Sequence, residues 1–178
     1  MSKDTISKAD RSGQASLAID PNERLARLVR SLARGFSRSL QIRLAEHQVT
    51  FGQWTYLRTL WQEDGITQRE LAYRMGVMEP TAHAALSKMQ EAGYIERLHK
   101  VGDRKKVFIY LTSHGAELRS KLEPLALEVN QIATADLDEE TVEVVRAALL
   151  KMATNLTEDE ARSIEAGKTM PSTRQFIA

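Results

Sequence analysis

A chain of 178 residues, 42% of them hydrophobic and 28% charged, is long enough for one sizeable core and does not require a second domain. It has no cysteine, which excludes disulfides, thiolate-bound metals and thiol oxidation sensing. The formal net charge is only +1, yet it is unevenly spread, with 10 basic against 7 acidic residues over 1–66, 8 against 5 over 67–112, and 7 against 12 from 113 onward. No apolar run approaches the roughly 20 residues that cross a bilayer. Residues 1–19 are rich in Ser, Lys and Asp and lack the apolar stretch of a signal peptide, so they are expected to be a disordered arm on a cytoplasmic protein.

The first long helix is expected from Asp20-Pro21-Asn22-Glu23, an N-cap Asp followed by a first-turn Pro and an acidic residue, and to run to about His47. Leu25, Leu28, Val29, Leu32, Phe36, Leu40 and Leu44 form its apolar stripe, with Arg27, Arg30, Arg34 and Arg38 on nearly the opposite side. At about 100° per residue, Arg43 and His47 fall in line with the apolar stripe. A cation there needs a partner. Either Arg43 lies at a fraying end or pairs with an acidic residue of a partner subunit, or Arg43 and His47 line a pocket near Phe51, Trp54 and Leu57. Those three lie on a second helix that opens at the capping box Thr50-Phe51-Gly52-Gln53.

Thr67 to Glu70 is another capping-box pattern, and the short helix it starts supplies Leu71, Ala72, Met75 and Val77 as buried positions. Gly76 stands where the following turn needs a left-handed residue. The next helix opens at Glu79-Pro80, runs to Ala92 and stops at Gly93, with Ala82, Ala85, Leu86 and Met89 on one face. Thr81, His83, Ala84, Ser87, Lys88 and Gln90 occupy the other. That face reads either as a solvated surface or as one able to reach base edges and phosphates.

Two β-prone runs follow, Ile95 to Leu98 and Val107 to Leu111. Between them, His99-Lys100-Val101-Gly102-Asp103-Arg104-Lys105-Lys106 makes a hairpin tip of concentrated positive charge. Thr112 then caps a helix to about Ala135, with Pro124 a kink or interruption and Leu118, Leu122, Leu125 and Val129 facing inward. The last helix starts at Asp138 and is expected to bury Val142, Val145, Leu149, Met152 and Leu156. These amphipathic helices describe a monomeric bundle or, more economically, the pairing of two subunits.

Leu71-Ala72 through Gly76-Val77, Pro80-Thr81, Gly93-Tyr94-Ile95-Glu96-Arg97, Asp103-Arg104-Lys105 and Leu111-Thr112, in this order and spacing, resemble the winged-helix core of the MarR family of bacterial transcription regulators. The resemblance implies a mainly α protein with a small β-wing, a winged helix-turn-helix joined to a helical dimerisation domain. One domain over 20–156 is expected, with 20–47 and 113–156 as dimerisation helices, 50–112 as the DNA-binding part and 157–178 as a polar tail. It further implies a homodimer on double-stranded DNA, with Thr81, His83, Ala84, Ser87 and Lys88 in a major groove and Arg104, Lys105 and Lys106 of the wing near a minor groove. Many relatives carry Ser or Thr followed by Arg where this chain has His83-Ala84, so an Arg contact to guanine does not carry over. Lys105 stands where relatives tend to place Arg, which leaves minor-groove insertion to Lys105 or Arg104.

In this family small aromatic or phenolic effectors often bind between the dimerisation and DNA-binding parts, which implies Arg43, His47, Phe51, Trp54 and Leu57 as the effector site. The function expected is a repressor on a pseudo-palindromic operator, released by an aromatic acid or its coenzyme A thioester, with no cofactor. Alternatives are a metal-responsive regulator, with His47 and His114 as ligands, or a winged helix used for protein contact alone. Walker, His-Glu-x-x-His and Gly-x-Ser-x-Gly motifs are absent from the sequence, which speaks against an enzyme.

Overall fold

A computed structural model describes residues 22–100 and 103–169, with the backbone alone at 103–105. The elements run α1 (Leu25–Ala45), α2 (Phe51–Gln62), β1 (Ile66–Thr67), α3 (Gln68–Arg74), α4 (Glu79–Glu91), β2 (Ile95–Lys100), β3 (Asp103–Leu111), α5 (Ser113–Ala133) and α6 (Glu139–Glu165). The expected cap at Asp20 and Pro21 and the N-terminal arm lie outside the described residues. In the structure α1 starts at Leu25, with Arg24 before it in extended conformation and no side-chain cap.

Local chemistry sets most other boundaries. At the start of α2 the capping box is complete: Gln53 N donates to Thr50 Oγ1 at 3.2 Å, and Thr50 N donates to Gln53 Oε1 at 2.8 Å. At α3 it is half made. Glu70 N donates to Thr67 Oγ1 at 3.1 Å, but the Glu70 carboxylate turns away to accept from Arg74 Nε at 2.7 Å. Gly76 takes φ +63° between α3 and α4, as the turn demands, and Thr112 caps α5 by accepting from Gly115 N at 3.0 Å. Pro124 sits within a continuous α5 and does not interrupt it.

The sheet is antiparallel in the order β1-β3-β2. Strand β1 has only two residues, Ile66 and Thr67, paired to Ile109 and Phe108, too short for a periodicity argument to find. Both wing strands reach further toward the tip than their β-prone runs, Lys100 pairing with Asp103 after a register shift beyond Leu98.

The core lies where α2, α3 and α4 meet the sheet and the ends of α1 and α5. Leu44, Leu57, Leu71, Leu86, Met89, Ile109 and Leu122 are sealed from solvent. Each such side chain contributes about 1.5–3 kcal/mol by leaving water. Leu118, Leu122 and Val129 face inward from α5 as expected. The last helix corrects the sequence reading. None of its 27 residues is buried, and Val145, Leu149 and Leu156 are 45%, 41% and 71% exposed, because no described element of the same chain packs extensively over them. It also continues past Leu156 to Glu165, through the first part of the expected polar tail. Leu25, Val29 and Leu32 at the start of α1 are exposed as well.

Candidate nucleic-acid interface

Helix α4 has two unlike faces. Ala82, Leu86 and Met89 anchor it in the core, while Thr81, His83, Ala84 and Lys88 are exposed and Ser87 is half-buried. Its inner face gives it rigidity; its outer face is free to meet a ligand. Strand β2 runs beside it and brings up Arg97, a residue to which sequence reasoning assigned no role. Arg97 Nε donates to Gln90 Oε1 at 2.7 Å, Nη2 donates to Ser87 Oγ at 2.7 Å, and Nη1 lies 3.4 Å from His83 Nδ1. One guanidinium thereby holds three side chains of the outer face. The hints in the sequence were its place at the end of the Gly93–Arg97 motif and its position two residues after the core residue Ile95 on a β-prone run.

Lys106 is exposed on β3, and its carbonyl is 3.1 Å from His99 Nδ1 across the hairpin. Lys100 places its ammonium 4.1 Å from the centre of the Phe108 ring, a cation-π contact on the wing. The side chains of Arg104 and Lys105 lie outside the described residues. Nearer the helix-turn-helix, Arg74 is held by Glu63 and Glu70, each at 2.7 Å, and these hydrogen bonds raise its pKa above the ordinary arginine value.

A second region lies between α1, α2 and α5. There a cavity of about 480 Å³ is lined by Phe36, Leu40, Phe51, Trp54, Arg58, Glu123, Leu127 and Asn130, among others. Phe51 and Trp54 pack with ring centroids 5.8 Å apart, and the Arg58 guanidinium lies 5.5 Å from the Trp54 ring centre. Trp54 is buried, and its Nε1–H has no acceptor among the described residues.

The structure thus brings Phe51 and Trp54 together at the cavity but does not place Arg43, His47 or Leu57 on its lining. Leu57 is wholly within the core. Arg43 donates to Glu128 Oε1 on α5 at 2.9 Å and to the carbonyl and hydroxyl of Ser39 at 3.1 Å. The pair lowers the Glu128 pKa and raises that of Arg43, so the partner of this cation is found within the same chain. The cation at the cavity is Arg58, which sequence reasoning missed. Its signal was the i, i+4 spacing from Trp54 along α2.

His114 packs against Tyr94 at 5.6 Å, and among the described residues no cluster of three His, Asp or Glu side chains is arranged to hold a metal ion. No described helix is long and apolar enough to cross a membrane.

Three helices leading into a hairpin, with one helix presented beside that hairpin, define a winged helix-turn-helix protein. Residues 49–107 match the model of the MarR family. The chain is 29% identical over 161 residues to the HTH-type transcriptional regulator TtmR of Methylorubrum extorquens, covering 90% of this chain and 78% of that one. It is 31% identical over 75 residues to the homoprotocatechuate degradative operon repressor of Escherichia coli, covering 42% of this chain and 51% of that protein. The crystal structure of the S. aureus MepR–DNA complex superposes with a TM-score of 0.68 at 25% identity, covering 75% of this chain and 98% of that one. Over residues 49–107 the chain is similar to the MarR family of transcriptional regulators, and its fold is that of the solved MarR-family structures.

Proposed function

We propose that this protein is a homodimeric repressor that reads operator DNA through α4 and the wing and releases it when a small aromatic acid, or its coenzyme A thioester, fills the cavity beside Trp54. The observation that carries the reading is the outer face of α4, polar, exposed and rigidly backed, set beside a hairpin rich in lysine and arginine. Among similar proteins, MepR was crystallised with DNA, and the Escherichia coli relative is named as an operon repressor. Thr81, His83, Ala84, Ser87 and Lys88 would lie in the major groove, with Arg104, Lys105 and Lys106 on the neighbouring backbone or minor groove.

The apolar surface left open on α6 and the start of α1 supports a second subunit as its cover. Two copies of α4 would then fall about one DNA turn, roughly 34 Å, apart. The cavity has the volume of a small-ligand site and aromatic walls, and its lining carries the Arg58 cation, which would hold the carboxylate of a planar acid, alongside the Glu123 carboxylate. Arg43, His47 and Leu57 would act from around it, Arg43 through its pairing to α5.

The test is fluorescence anisotropy with operator-length duplexes across a salt series, with and without benzoates, phenolic acids and their coenzyme A thioesters. Binding that weakens steeply with salt is expected, and Arg104→Ala with Lys105→Ala should flatten the slope by about 1 for each phosphate left without its cation. Arg58→Met should keep DNA affinity but raise the acid concentration needed for release about tenfold, since a charged hydrogen bond contributes on the order of 1.5–3 kcal/mol. Salt-insensitive or absent binding would point to a winged helix used for protein contact.

A further inference from the structure

Arg97 makes three polar contacts to α4, and their directions are not optional. A guanidinium carries five N–H donors and no acceptor, so every group it meets at hydrogen-bond distance must face it with a lone pair. His83 presents Nδ1 to Arg97 Nη1 at 3.4 Å, which leaves the ring proton of the neutral imidazole on Nε2. Ser87 accepts from Arg97 Nη2 at 2.7 Å while donating its own proton to the His83 carbonyl at 3.0 Å. Its hydroxyl retains one acceptor lone pair and no donor. Gln90 commits its carbonyl oxygen to Arg97 Nε at 2.7 Å, which turns the amide NH₂ outward. Read along α4, the outer face therefore offers donor, acceptor, donor.

We propose that Arg97 is a specificity-determining positioning residue, which fixes the hydrogen-bond polarity that His83, Ser87 and Gln90 present to a base pair without touching the base itself. The inference rests on the reading of α4 as the DNA-reading helix. In the major groove guanine shows the acceptors N7 and O6, thymine shows O4 and adenine shows N7, while adenine N6 and cytosine N4 are donors. His83, with its donor Nε2–H, matches an acceptor of guanine, thymine or adenine and is refused by cytosine, which shows only a donor. Ser87, an acceptor one helical turn away, matches adenine or cytosine at a neighbouring step. A hydroxyl or imidazole left to rotate could satisfy either kind of edge and would discriminate little. Lysine cannot replace the fork, because a single ammonium on a flexible stem does not hold three acceptors in one plane.

The experiment compares the full-length wild type with Arg97→Lys, which keeps the charge, and with Ser87→Ala, which removes only the acceptor. Each is selected against a pool of duplexes randomised at the bases under α4, and each is titrated at low salt with one unrelated duplex. Wild type should select acceptor-bearing bases at one step and donor-bearing bases at the neighbouring step. Arg97→Lys should lose about tenfold in preference at both steps, one good base contact being worth about that much or more. Ser87→Ala should lose it at its own step alone. Binding to the unrelated duplex should change less than about threefold, because the charge is retained.

Side-chain nitrogen NMR of the DNA-free protein gives an independent readout: His83 should be a single Nε2–H tautomer in wild type and a mixture in Arg97→Lys. Base preferences that survive Arg97→Lys, or a wild-type His83 protonated on Nδ1, would overturn the proposal. Wild type that binds no duplex would remove the DNA reading and the proposal together, and a Nε2–H tautomer in that case would show that the fork itself is as described.

Discussion

Leu57, Leu71, Leu86 and Ile109 end inside a core shared by α2, α3, α4 and the sheet, whereas Leu149, Leu150, Leu156 and Ile164 of α6 end in the open. Both regions are amphipathic, and both are helical for most of their length. What separates them is whether the chain carries its own cover. The winged-helix half closes on itself through contacts between residues far apart in sequence. Helix α6 has 27 residues and no described element of the same chain packed extensively over its apolar side, so intrinsic propensity and a good N-cap hold it only weakly without a partner. A periodic apolar pattern therefore says that a face will be covered, not by which molecule.

The sharpest way to separate the two regions is to damage the core of one and the open face of the other. Leu57→Ala should cost about 2–5 kcal/mol of stability, because it removes buried methyl groups and leaves a cavity. Chemical denaturation would register it as a lower midpoint with an unchanged slope. A loss under about 1 kcal/mol would mean that the core repacks freely there and would weaken the contrast. Leu149→Glu combined with Leu156→Glu should leave helix content and the wing intact, yet shift the mass found by sedimentation from two chains to one. Operator affinity should then fall about 100-fold or more, since two linked half-sites become independent. An unchanged mass would move the subunit contact away from α6.

The smallest effect concerns the start of α6. Asp138 accepts from Thr141 N at 2.8 Å, and its hydrogen bonds to Thr141 hold the carboxyl below its usual range. Its folded value lies below the unfolded one, so the stabilisation is fully present above the unfolded value and is lost as pH falls through the folded value. Asp138→Asn should cap comparably at neutral pH and remove that acid-dependent part. Circular dichroism of the two proteins along an acid titration checks it; parallel curves would remove Asp138 as the source.

Helix starts were the most legible part of the fold in sequence, because caps are local: Thr50, Thr67, Thr112 and Asp138 each accept a hydrogen bond from a backbone amide three residues on. The outward face of α4 and the inward face of α5 were legible too, since spacing alone decides which residues share a face. Strand β1 was not, being held by pairing to a strand more than 40 residues away. Nor were the partners of long cations. Arg43 and Arg58 lie on neighbouring helices near the same aromatic residues, and periodicity favoured Arg43, whereas the chain engages that side chain with Glu128 of α5 and leaves Arg58 beside Trp54. The role of Arg97 was hidden for the same reason, since its three acceptors lie seven to 14 residues earlier on another element.

The close approach of α5 to the end of α4 has a mechanical consequence. A Cβ at Gly115 would run into the carbonyl oxygen of Tyr94, Trp61 Nε1 donates to the Gly115 carbonyl at 2.9 Å, and Thr112 ties back to Gly93 and Tyr94. This joint has no slack. Helix α5 is 21 residues long, about 30 Å, joined at its start to the segment after α4 and packed against α1 and α2 through Leu118, Leu122 and Val129. A tilt of α5 by about 5° that Gly115 did not absorb would displace its far end by about 2–3 Å relative to α4. Gly115→Ala would pry the joint open and turn a stiff crank into a loose one.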